Sequence, residues 1–367
     1  MPADEPSWWY APEPTTTSDR LRLRLLQPVS RVWSWAAERR FRTTTPYRAT
    51  LPVICVGNFT AGGTGKTPLS IHLARTLQAH GEVPAFLTRG YRGRHRGPRR
   101  VDPGVDTADD IGDEALLLAR AAPTVVARER AKGAAMLATF AGLSPPSVIV
   151  MDDGLQNPGL AKDLAIAVVD GRRGFGNGRV IPAGPLRADL AFQLGLADAI
   201  VVNRPAGDTD GENAIAGELR QRFPGPVLEA SVAPDGDIAA LAGARVVAFA
   251  GIANPARFYD LLSALGADVV ERLSYPDHHT FSEVEAAHIL ARATALDARI
   301  MTTEKDRVRL VPRFGAGSSA LAVLRDRATP LPIRLSMSER DTPRLASLLD
   351  NALATRRALL RLTDPRP

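Results

Sequence analysis

Residues 61–67 read Ala-Gly-Gly-Thr-Gly-Lys-Thr, and this glycine-rich loop constrains the fold of the chain more than any other feature. An apolar run, 51–56, precedes the loop and an amphipathic segment follows it, so the pattern predicts a strand, a loop and a helix. Glycines let backbone N–H groups turn inward around phosphates, a lysine reaches the phosphate oxygens, and a threonine hydroxyl binds Mg²⁺. The helix start adds partial positive charge. The unit therefore predicts a nucleoside triphosphate site.

Two details of the loop bear on this assignment. The strict pattern of such loops has glycine at position 60, where this chain has Thr60. Lys66, however, is one of only four lysines among 46 lysines and arginines, and a compact ammonium suits phosphates at this spot better than a guanidinium. We therefore predict that the triphosphate is bound by the following residues: Thr60, Ala61, Gly62, Gly63, Thr64, Gly65, Lys66 and Thr67.

Short apolar runs continue to alternate with helix-length segments along the chain. Further strands are predicted at 83–88, 147–151, 164–170, 199–203, 245–250, 268–273 and 299–303. This alternation predicts an α/β fold with a parallel sheet of the phosphate-loop NTPase type and helices on both faces. The predicted organisation is an N-terminal membrane-interfacial segment with an amphipathic helix at 1–48, a phosphate-loop domain at 49–235 and a smaller C-terminal α/β domain at 240–367.

Composition excludes several classes of protein. The single cysteine, Cys55, excludes an intrachain disulfide and a cysteine-based metal site. The sequence has no signal-peptide pattern and no apolar stretch of about 20 residues, so we expect a cytosolic or membrane-peripheral protein. A net charge of +6 indicates an anionic partner, which leaves phosphate, a lipid surface and nucleic acid open at this point.

The N-terminal segment combines tryptophans with arginines. All four tryptophans lie within the first 35 residues, and the stretch 20–48 holds eight arginines and one acid, Glu38. Its apolar residues recur at helical spacing, which favours a helix lying in a membrane interface with arginines against anionic headgroups. A basic amphipathic helix docked on the core of the protein itself is the alternative. Pro28 can divide the helix into two pieces.

Several carboxylates and histidines at the ends of predicted strands and helices are candidate metal-binding or catalytic residues. Asp152 and Asp153 follow a predicted strand and, with the hydroxyl of Thr67, are expected to bind Mg²⁺. Asp113 begins a predicted helix, where helix capping and a catalytic role both remain open. His278 lies in a turn of the second domain and reaches the loop only if the two domains face each other. The polar cluster 302–306 is either catalytic or an internal network of ion pairs.

The motifs also discriminate between nucleotides and between functional classes. The chain lacks an Asn-Lys-x-Asp guanine-reading motif, which favours ATP over GTP. A phosphate-loop switch or partition-type ATPase acting at a membrane is the rival to an enzyme. The loops of partition-type ATPases carry lysine where this chain has Ala61, which argues against that class.

Together these motifs resemble one family, tetraacyldisaccharide 4′-kinase, the lipid A 4′-kinase. The resemblance covers roughly residues 20–335. It rests on stretches that occur in the family order, namely 56–68, Arg89-Gly90-Tyr91, Gly112-Asp113-Glu114, 152–156, 182–187, 276–279 and 302–306. Three positions depart from the family pattern: Asn157 where histidine is usual, Ala115 where proline is usual and Ala188 where glutamate is usual.

The resemblance implies ATP-dependent phosphorylation of the 4′-hydroxyl of tetraacyldisaccharide 1-phosphate to give lipid IVA, at the cytoplasmic face of a Gram-negative inner membrane. It implies ATP and Mg²⁺ as cofactors, a glycolipid substrate, an anionic membrane surface and no nucleic-acid partner. It also implies that Asp113 and His278 form a catalytic pair, in which we expect Asp113 to accept the hydroxyl proton and His278 to orient it. The expected substrate-binding residues are Arg89, Tyr91, Arg128, Gln156 and Arg187.

Overall fold

A computed structural model describes residues 6–11, 16–140, 144–204, 213–236, 238–311 and 319–363. The helices are α1 (Thr17–Thr43), α2 (Lys66–Ala79), α3 (Ala108–Ile111), α4 (Asp113–Ala119), α5 (Arg130–Ala138), α6 (Leu190–Leu194), α7 (Ala214–Arg222), α8 (Pro255–Ala264), α9 (Glu283–Ala295), α10 (Glu304–Arg309), α11 (Ala320–Arg327) and α12 (Asp341–Thr363). The strands are β1 (Val53–Asn58), β2 (Pro84–Thr88), β3 (Arg99–Arg100), β4 (Thr124–Val126), β5 (Val148–Asp152), β6 (Leu164–Asp170), β7 (Ala199–Arg204), β8 (Val227–Pro234), β9 (Arg245–Ala250), β10 (Asp268–Ser274), β11 (Arg299–Thr303), β12 (Ala328–Leu331) and β13 (Ile333–Met337).

The larger of two sheets has the strand order β13-β8-β7-β6-β1-β5-β2-β4-β3. All neighbouring strands from β8 to β4 pair in parallel, and the edge strands β13 and β3 pair antiparallel. Helices α2, α4 and α12 pack on one face, and α5 and α7 pack on the other. This confirms the predicted parallel sheet with helices on both faces, and we call this body the first lobe. Because β1, β5 and β2 are adjacent and parallel, the residues that follow them meet at one edge.

A second, smaller body covers residues 238–331 and is called the second lobe. Its four strands are all parallel, in the order β10-β9-β11-β12. Helix α8 covers one face, whereas α9 and α11 cover the other. Helix α10 leaves this lobe to contact α4 of the first lobe, where Val308 packs against Ile111 and Leu117. The second lobe therefore faces the edge at which β1, β5 and β2 end.

The predicted C-terminal domain, 240–367, extends too far. Strand β13 pairs with β8 of the first lobe, and α12 buries Leu345, Leu349 and Leu353 in the core of the first lobe. These leucines are four residues apart, so they form one apolar face of the helix. Amphipathic spacing predicts that such a face is buried, but it does not say against which sheet. The boundary of the second lobe therefore lies near residue 331.

Replacing Leu349 with alanine tests this corrected boundary. Leu349 has no exposed surface, so its truncation leaves a cavity between α12 and the large sheet. We expect the free energy of unfolding to fall by about 2–4 kcal/mol, measured by denaturant titration. Leu359→Ala is the control on the same helix, since Leu359 is 46% exposed, and it should cost less than about 0.5 kcal/mol. Equal effects of the two substitutions would show that α12 does not belong to this core.

The N-terminal helix α1 is a single helix that continues through Pro28, not two pieces. Several of its contacts with the body are polar. The Ser30 hydroxyl donates to Val180 O at 2.7 Å, Ser34 Oγ accepts from the N–H of Asp189 at 2.9 Å, and the Trp33 indole donates to Arg187 O at 3.1 Å. Leu23 is also buried, but most of the large apolar residues of the helix are exposed. The exposed residues are Leu21, Leu25, Val29, Val32, Trp33 and Trp35. Of the described helices, none has the length and apolarity needed to cross a bilayer.

Candidate active site

The predicted phosphate loop connects β1 to α2, as the sequence indicates. Gly62 and Gly65 have φ of +92° and +99°, a conformation that lets successive N–H groups point to one side. A Cβ on Gly65 would approach Asn203 Nδ2 to 2.5 Å, and this amide donates to Thr64 O at 3.0 Å. Asn203, near the end of β7, therefore fixes the loop through the carbonyl of Thr64. Because the same amide lies so close to Gly65, only glycine fits at position 65.

The backbone at Thr60 shows why glycine is not required at this position of the phosphate loop. Its φ is not in the left-handed region, so its backbone does not require glycine. The residue is buried and forms an isolated bridge with Leu186, and its carbonyl accepts a hydrogen bond from Arg187 Nε at 3.0 Å. The following residue, Ala61, donates its N–H to Pro185 O at 2.7 Å. The segment 185–187 thus fixes the start of the loop.

Lys66 and the two consecutive aspartates lie together beneath the loop. Lys66 is the first residue of α2, and its Nζ lies 3.7 Å from Asp153 Oδ1. Arg187 Nη1 lies 3.4 Å from the same oxygen. Burial opposes ionisation of Asp153, but the charges of Lys66, Arg187 and Arg130 outweigh it and lower its pKa to about 2. Asp153 is therefore an anion within a cluster of cations.

Asp152 has a different environment from its neighbour. Its side chain is fully buried, and burial together with the charge of Glu114 raises its pKa to about 7. The Ser70 hydroxyl donates to Oδ1 at 2.7 Å, whereas Oδ2 has no hydrogen-bond partner among the described residues. An unpaired, buried carboxylate oxygen is the kind of ligand that Mg²⁺ prefers. The described residues contain no cluster of three or more metal-binding side chains.

A cleft of about 2430 Å³ runs between the two lobes and extends to α1. The phosphate loop, from Ala61 to Thr67, forms its floor, and His278 and Lys305 of the second lobe form the opposite wall. Trp33, Arg40 and Phe41 of α1 line its far end. One continuous space therefore connects the phosphate loop with the N-terminal helix. The second lobe faces the first and brings His278 to this space, as a catalytic role of His278 requires.

Asp113 of the first lobe and His278 of the second lobe form the predicted pair. His278 Nδ1 lies 3.0 Å from Asp113 Oδ2, and Asp113 Oδ1 accepts the N–H of Glu114 at 2.9 Å. Asp113 begins α4 after Gly112, whose φ is +87°, and a Cβ on Gly112 would approach Tyr91 O to 2.4 Å. The sharp turn at Gly112 thus aims the carboxylate at the second lobe. Asp113 Oδ1 thus binds one N–H of the first turn of α4 while Oδ2 faces the second lobe, so the contact with the helix start and a role in the pair are compatible.

A third residue, Arg309, contacts this pair and was not predicted from the sequence. Its Nε donates to Asp113 Oδ2 at 2.9 Å, and its Nη2 donates to the same oxygen. Burial opposes ionisation of Asp113, but the hydrogen bond from His278 and the charge of Arg309 outweigh it and lower the pKa. Arg309 lies four residues after Lys305 on α10, so the two side chains project from the same face of the helix. This helical spacing from the 302–306 cluster was the one feature of the sequence that could have indicated a role for Arg309 in the site.

A second ion pair joins the lobes beside the first. Lys305 Nζ lies 2.7 Å from Glu114 Oε1. Burial opposes the charge of Lys305, but Glu114 and Asp113 outweigh it and raise its pKa, while Lys305 and Lys66 together lower the pKa of Glu114. The 302–306 cluster therefore contains an ion pair between the lobes at the wall of the cleft, not a network confined to the second lobe.

Of the predicted substrate-binding residues, four line the cleft: Arg89, Tyr91, Gln156 and Arg187. Tyr91 is 53% exposed, and its ring centroid lies 5.6 Å from that of His278. The structure does not bring Arg128 to the cleft, and its side chain is exposed in the β4–α5 loop. Arg130, two residues later, is the buried arginine here, and its guanidinium reaches Asp153 O at 3.4 Å.

Asn157, one of the departures from the family pattern, does not line the cleft. Its Oδ1 accepts the N–H of Gly159 at 2.9 Å and closes a local turn. Gln156 beside it faces the cleft, although its amide also donates to Asn58 O at 2.6 Å and to Gln193 Oε1 at 2.8 Å. The departure at 157 therefore leaves the lining of the site unchanged.

Comparison with known proteins identifies the family of this chain. The family model described as tetraacyldisaccharide-1-P 4′-kinase matches residues 22–354. A tetraacyldisaccharide 4′-kinase of Rhodospirillum centenum is 47% identical over 338 residues, covering 92% of this chain and 94% of the relative. Another, of Parvibaculum lavamentivorans, is 46% identical over 356 residues, covering 96% and 99%. Both relatives match along nearly their whole length.

A solved structure has the same fold. The crystal structure of LpxK from Aquifex aeolicus in complex with ATP superposes with a TM-score of 0.67 at 22% sequence identity. The match covers 90% of this chain and 99% of that chain. The arrangement of the two lobes is therefore that of a solved protein.

Proposed function

The chain belongs to the tetraacyldisaccharide-1-P 4′-kinase family, and we propose that its cleft transfers the γ-phosphoryl group of ATP to the 4′-hydroxyl of tetraacyldisaccharide 1-phosphate. The bond between the γ-phosphorus and the β–γ bridging oxygen breaks, a bond to the sugar oxygen forms, and ADP leaves. The products are ADP, lipid IVA and a proton from the hydroxyl. The observation that carries this proposal is the single cleft that joins the phosphate loop, His278 and α1.

Positioning and charge neutralisation supply most of the catalysis in phosphoryl transfer. The N–H groups of the loop, the ammonium of Lys66 and the N-terminus of α2 face the cleft, where they can hold the β- and γ-phosphates. Arg89 and Arg187 line the same space and can bind phosphate oxygens in pairs. Thr67 and Asp152, with Asp153 beside them, would hold Mg²⁺. The metal would neutralise charge on the transferring phosphate.

The contacts of the Asp113–His278 pair favour the reverse of the roles expected from the sequence. Asp113 Oδ2 already accepts from His278 and Arg309, Oδ1 accepts from Glu114 N–H, and Asp113 does not line the cleft. His278 does line it. An ionised carboxylate only accepts hydrogen bonds, so a proton on Nδ1 of His278 would be directed at Asp113. In that tautomer Nε2, which lies 3.7 Å from Asp277 Oδ2, carries the lone pair. We infer that Nε2 accepts the hydroxyl proton and Asp113 orients the ring.

We further propose that α1 lies in the interface of an anionic membrane at the cytoplasmic face of a bacterial inner membrane. Its outward face carries large apolar residues, and arginines flank that face along the helix. The far end of the cleft is lined by Trp33, Arg40 and Phe41 of the same helix. A glycolipid substrate could thus present its sugar headgroup to the cleft while its acyl chains stay in the bilayer.

Replacing Leu25 and Val32 together with glutamate tests the membrane proposal. These residues are 67% and 64% exposed, so the fold should be unchanged. We expect binding to anionic vesicles, measured by cosedimentation, to weaken about tenfold or more, because two apolar contacts are replaced by charges that anionic lipids repel. Val284→Glu in the second lobe is the matched control, since Val284 is 79% exposed on α9. Unchanged vesicle binding of the double variant would refute an interfacial role of this face.

The rival function, a membrane-bound switch or partition-type ATPase, is separated from a kinase by one assay. ATP consumption is measured with and without tetraacyldisaccharide 1-phosphate in detergent micelles, and the lipid products are analysed by mass spectrometry. We expect one phosphorylated glycolipid to form for each ATP consumed, and little ATP turnover without the lipid. ATP hydrolysis at the same rate with no phosphorylated glycolipid would support the switch instead.

A further inference from the structure

Arg309 is buried at the junction of the two lobes. Its side chain is only 5% exposed, and it comes from the last turn of α10 in the second lobe. On one side it contacts Asp113 of the first lobe through Nε and Nη2. On the other side its Nη1 donates to Gly251 O at 2.6 Å and to Asp306 Oδ1 at 2.9 Å. The guanidinium fork thus connects the carboxylate of one lobe to the backbone of the other.

The same fork also supports the backbone of His278. The N–H of His278 donates to Gly251 O at 3.0 Å, which is the carbonyl that Arg309 binds. His278 has φ of +59°, a left-handed conformation that is uncommon for residues other than glycine. Arg309 therefore contacts the partner of the imidazole ring, Asp113, and the partner of the His278 backbone, Gly251.

Charge compensation gives this contact a chemical consequence. A buried carboxylate with histidine as its only neighbour favours an imidazolium, which has no lone pair to accept a proton. Here Arg309 places a permanent positive charge beside both members of the pair, since its Nη2 bonds Asp113 and also lies 3.3 Å from Nδ1 of His278. On the side of the guanidinium away from Asp113, Arg309 Nη1 lies 2.9 Å from Oδ1 of Asp306, which forms a second ion pair with Arg309. Asp113 of the first lobe and Asp306 of the second lobe therefore share the guanidinium of Arg309.

We propose that Arg309 is a positioning residue for proton transfer, which fixes the ionised Asp113 against Nδ1 of His278 so that Nε2 is the proton acceptor. This role rests on the proposed function, since it acts through His278. Arg309 does not line the cleft and touches neither the nucleotide side nor the lipid side of it. Its loss should therefore lower kcat and leave the binding of both substrates nearly unchanged.

A double-mutant cycle with His278 tests this role. We expect Arg309→Met to lower kcat about 100-fold in the wild-type background, with ATP affinity and the KM for the lipid within about threefold. In a His278→Ala background the same substitution should lower kcat by no more than about threefold, because the group that Arg309 positions is gone. All rates are expressed per nucleotide-binding site, so a partly unfolded preparation does not mimic the effect.

Arg356→Met is the matched control for the loss of a buried guanidinium. Arg356 is 8% exposed, and it joins α12 to the first lobe through Ala49 O and Asp163. It should have the same small effect on kcat in both backgrounds. An Arg309→Met effect on kcat that is equally large with and without His278 would overturn the proposal, and so would a kcat per site equal to that of the wild type.

Two further measurements keep the outcome interpretable. If Arg309→Met does not fold, Arg309→Lys keeps the charge and the stem but lacks the fork. It should lower kcat about tenfold only when His278 is present, and equal losses with and without His278 would overturn the proposal. Formation of phosphorylated glycolipid by the wild-type protein is recorded in every series. No product from the wild type would contradict the proposed function, whereas product formed equally fast by Arg309→Met would contradict only the role of Arg309.

Discussion

Lys66→Ala is expected to reduce phosphoryl transfer to about a hundredth of the wild-type rate or less. The ammonium of Lys66 lies at the N-terminus of α2 and faces the cleft, where the β- and γ-phosphates would lie. Losing such a contact should cost about 3 kcal/mol or more of transition-state stabilisation. The fold should survive, because the stem of Lys66 is not part of an apolar core and Asp153 keeps Arg187 as a partner.

The rate of transfer is measured as radiolabelled glycolipid formed from ATP labelled at the γ-phosphate. Lys132→Ala is the control, since Lys132 is 61% exposed on α5 and, in the described part of the chain, pairs with Glu129 at the surface. It should leave the rate unchanged. A Lys66→Ala variant that keeps more than about a tenth of the activity would show that the loop does not hold the transferring phosphate.

His278→Ala is expected to lower turnover by roughly 10²–10⁴-fold with little change in ATP affinity, as loss of a general base does. Asp113→Asn should act in the same direction by a smaller factor, because the amide still occupies the position beside Nδ1 but no longer carries the charge. The double variant should lose less than the product of the two single losses, since the pair acts as one unit.

Kinetics of the single and double variants at saturating ATP measure this coupling. His279→Ala is the control at the neighbouring position. The His279 ring bonds Glu285 at 2.9 Å, and the residue does not line the cleft, so its loss should have little effect on turnover. Independent, fully multiplicative losses for His278 and Asp113 would place the two residues in separate roles. Near-normal activity of His278→Ala would remove the proposed proton acceptor.

Much of the first lobe and its site could be predicted from the sequence, because they depend on local patterns. The phosphate loop follows directly from residues 60–67, and the carboxylates at 152–153 follow from the end of an apolar strand. Parallel neighbours end at the same edge, so these groups meet whatever the details of packing. The family resemblance added the pairing of Asp113 with His278, which no local pattern reveals.

The features that were missed depend on contacts between distant segments. Arg309 reads as one more arginine in an arginine-rich chain, and only the approach of α10 to α4 gives it a buried partner. Arg128 and Arg130 are equivalent in the sequence, but the turn into α5 buries the second and exposes the first. The return of β13 and α12 to the first lobe likewise depends on which face is left uncovered. Periodicity shows that a side chain is buried, but it does not identify the partner.

The central claim is that the cleft transfers a phosphoryl group from ATP to the 4′-hydroxyl of the glycolipid. The most direct test is phosphorus NMR of the lipid recovered after incubation with the wild-type protein, ATP and Mg²⁺. We predict one new phosphomonoester signal that couples to the proton at the 4′-carbon, absent when Lys66→Ala replaces the wild type. Inorganic phosphate as the only phosphorus product from ATP besides ADP, or a new phosphate at any other position of the disaccharide, would contradict this account.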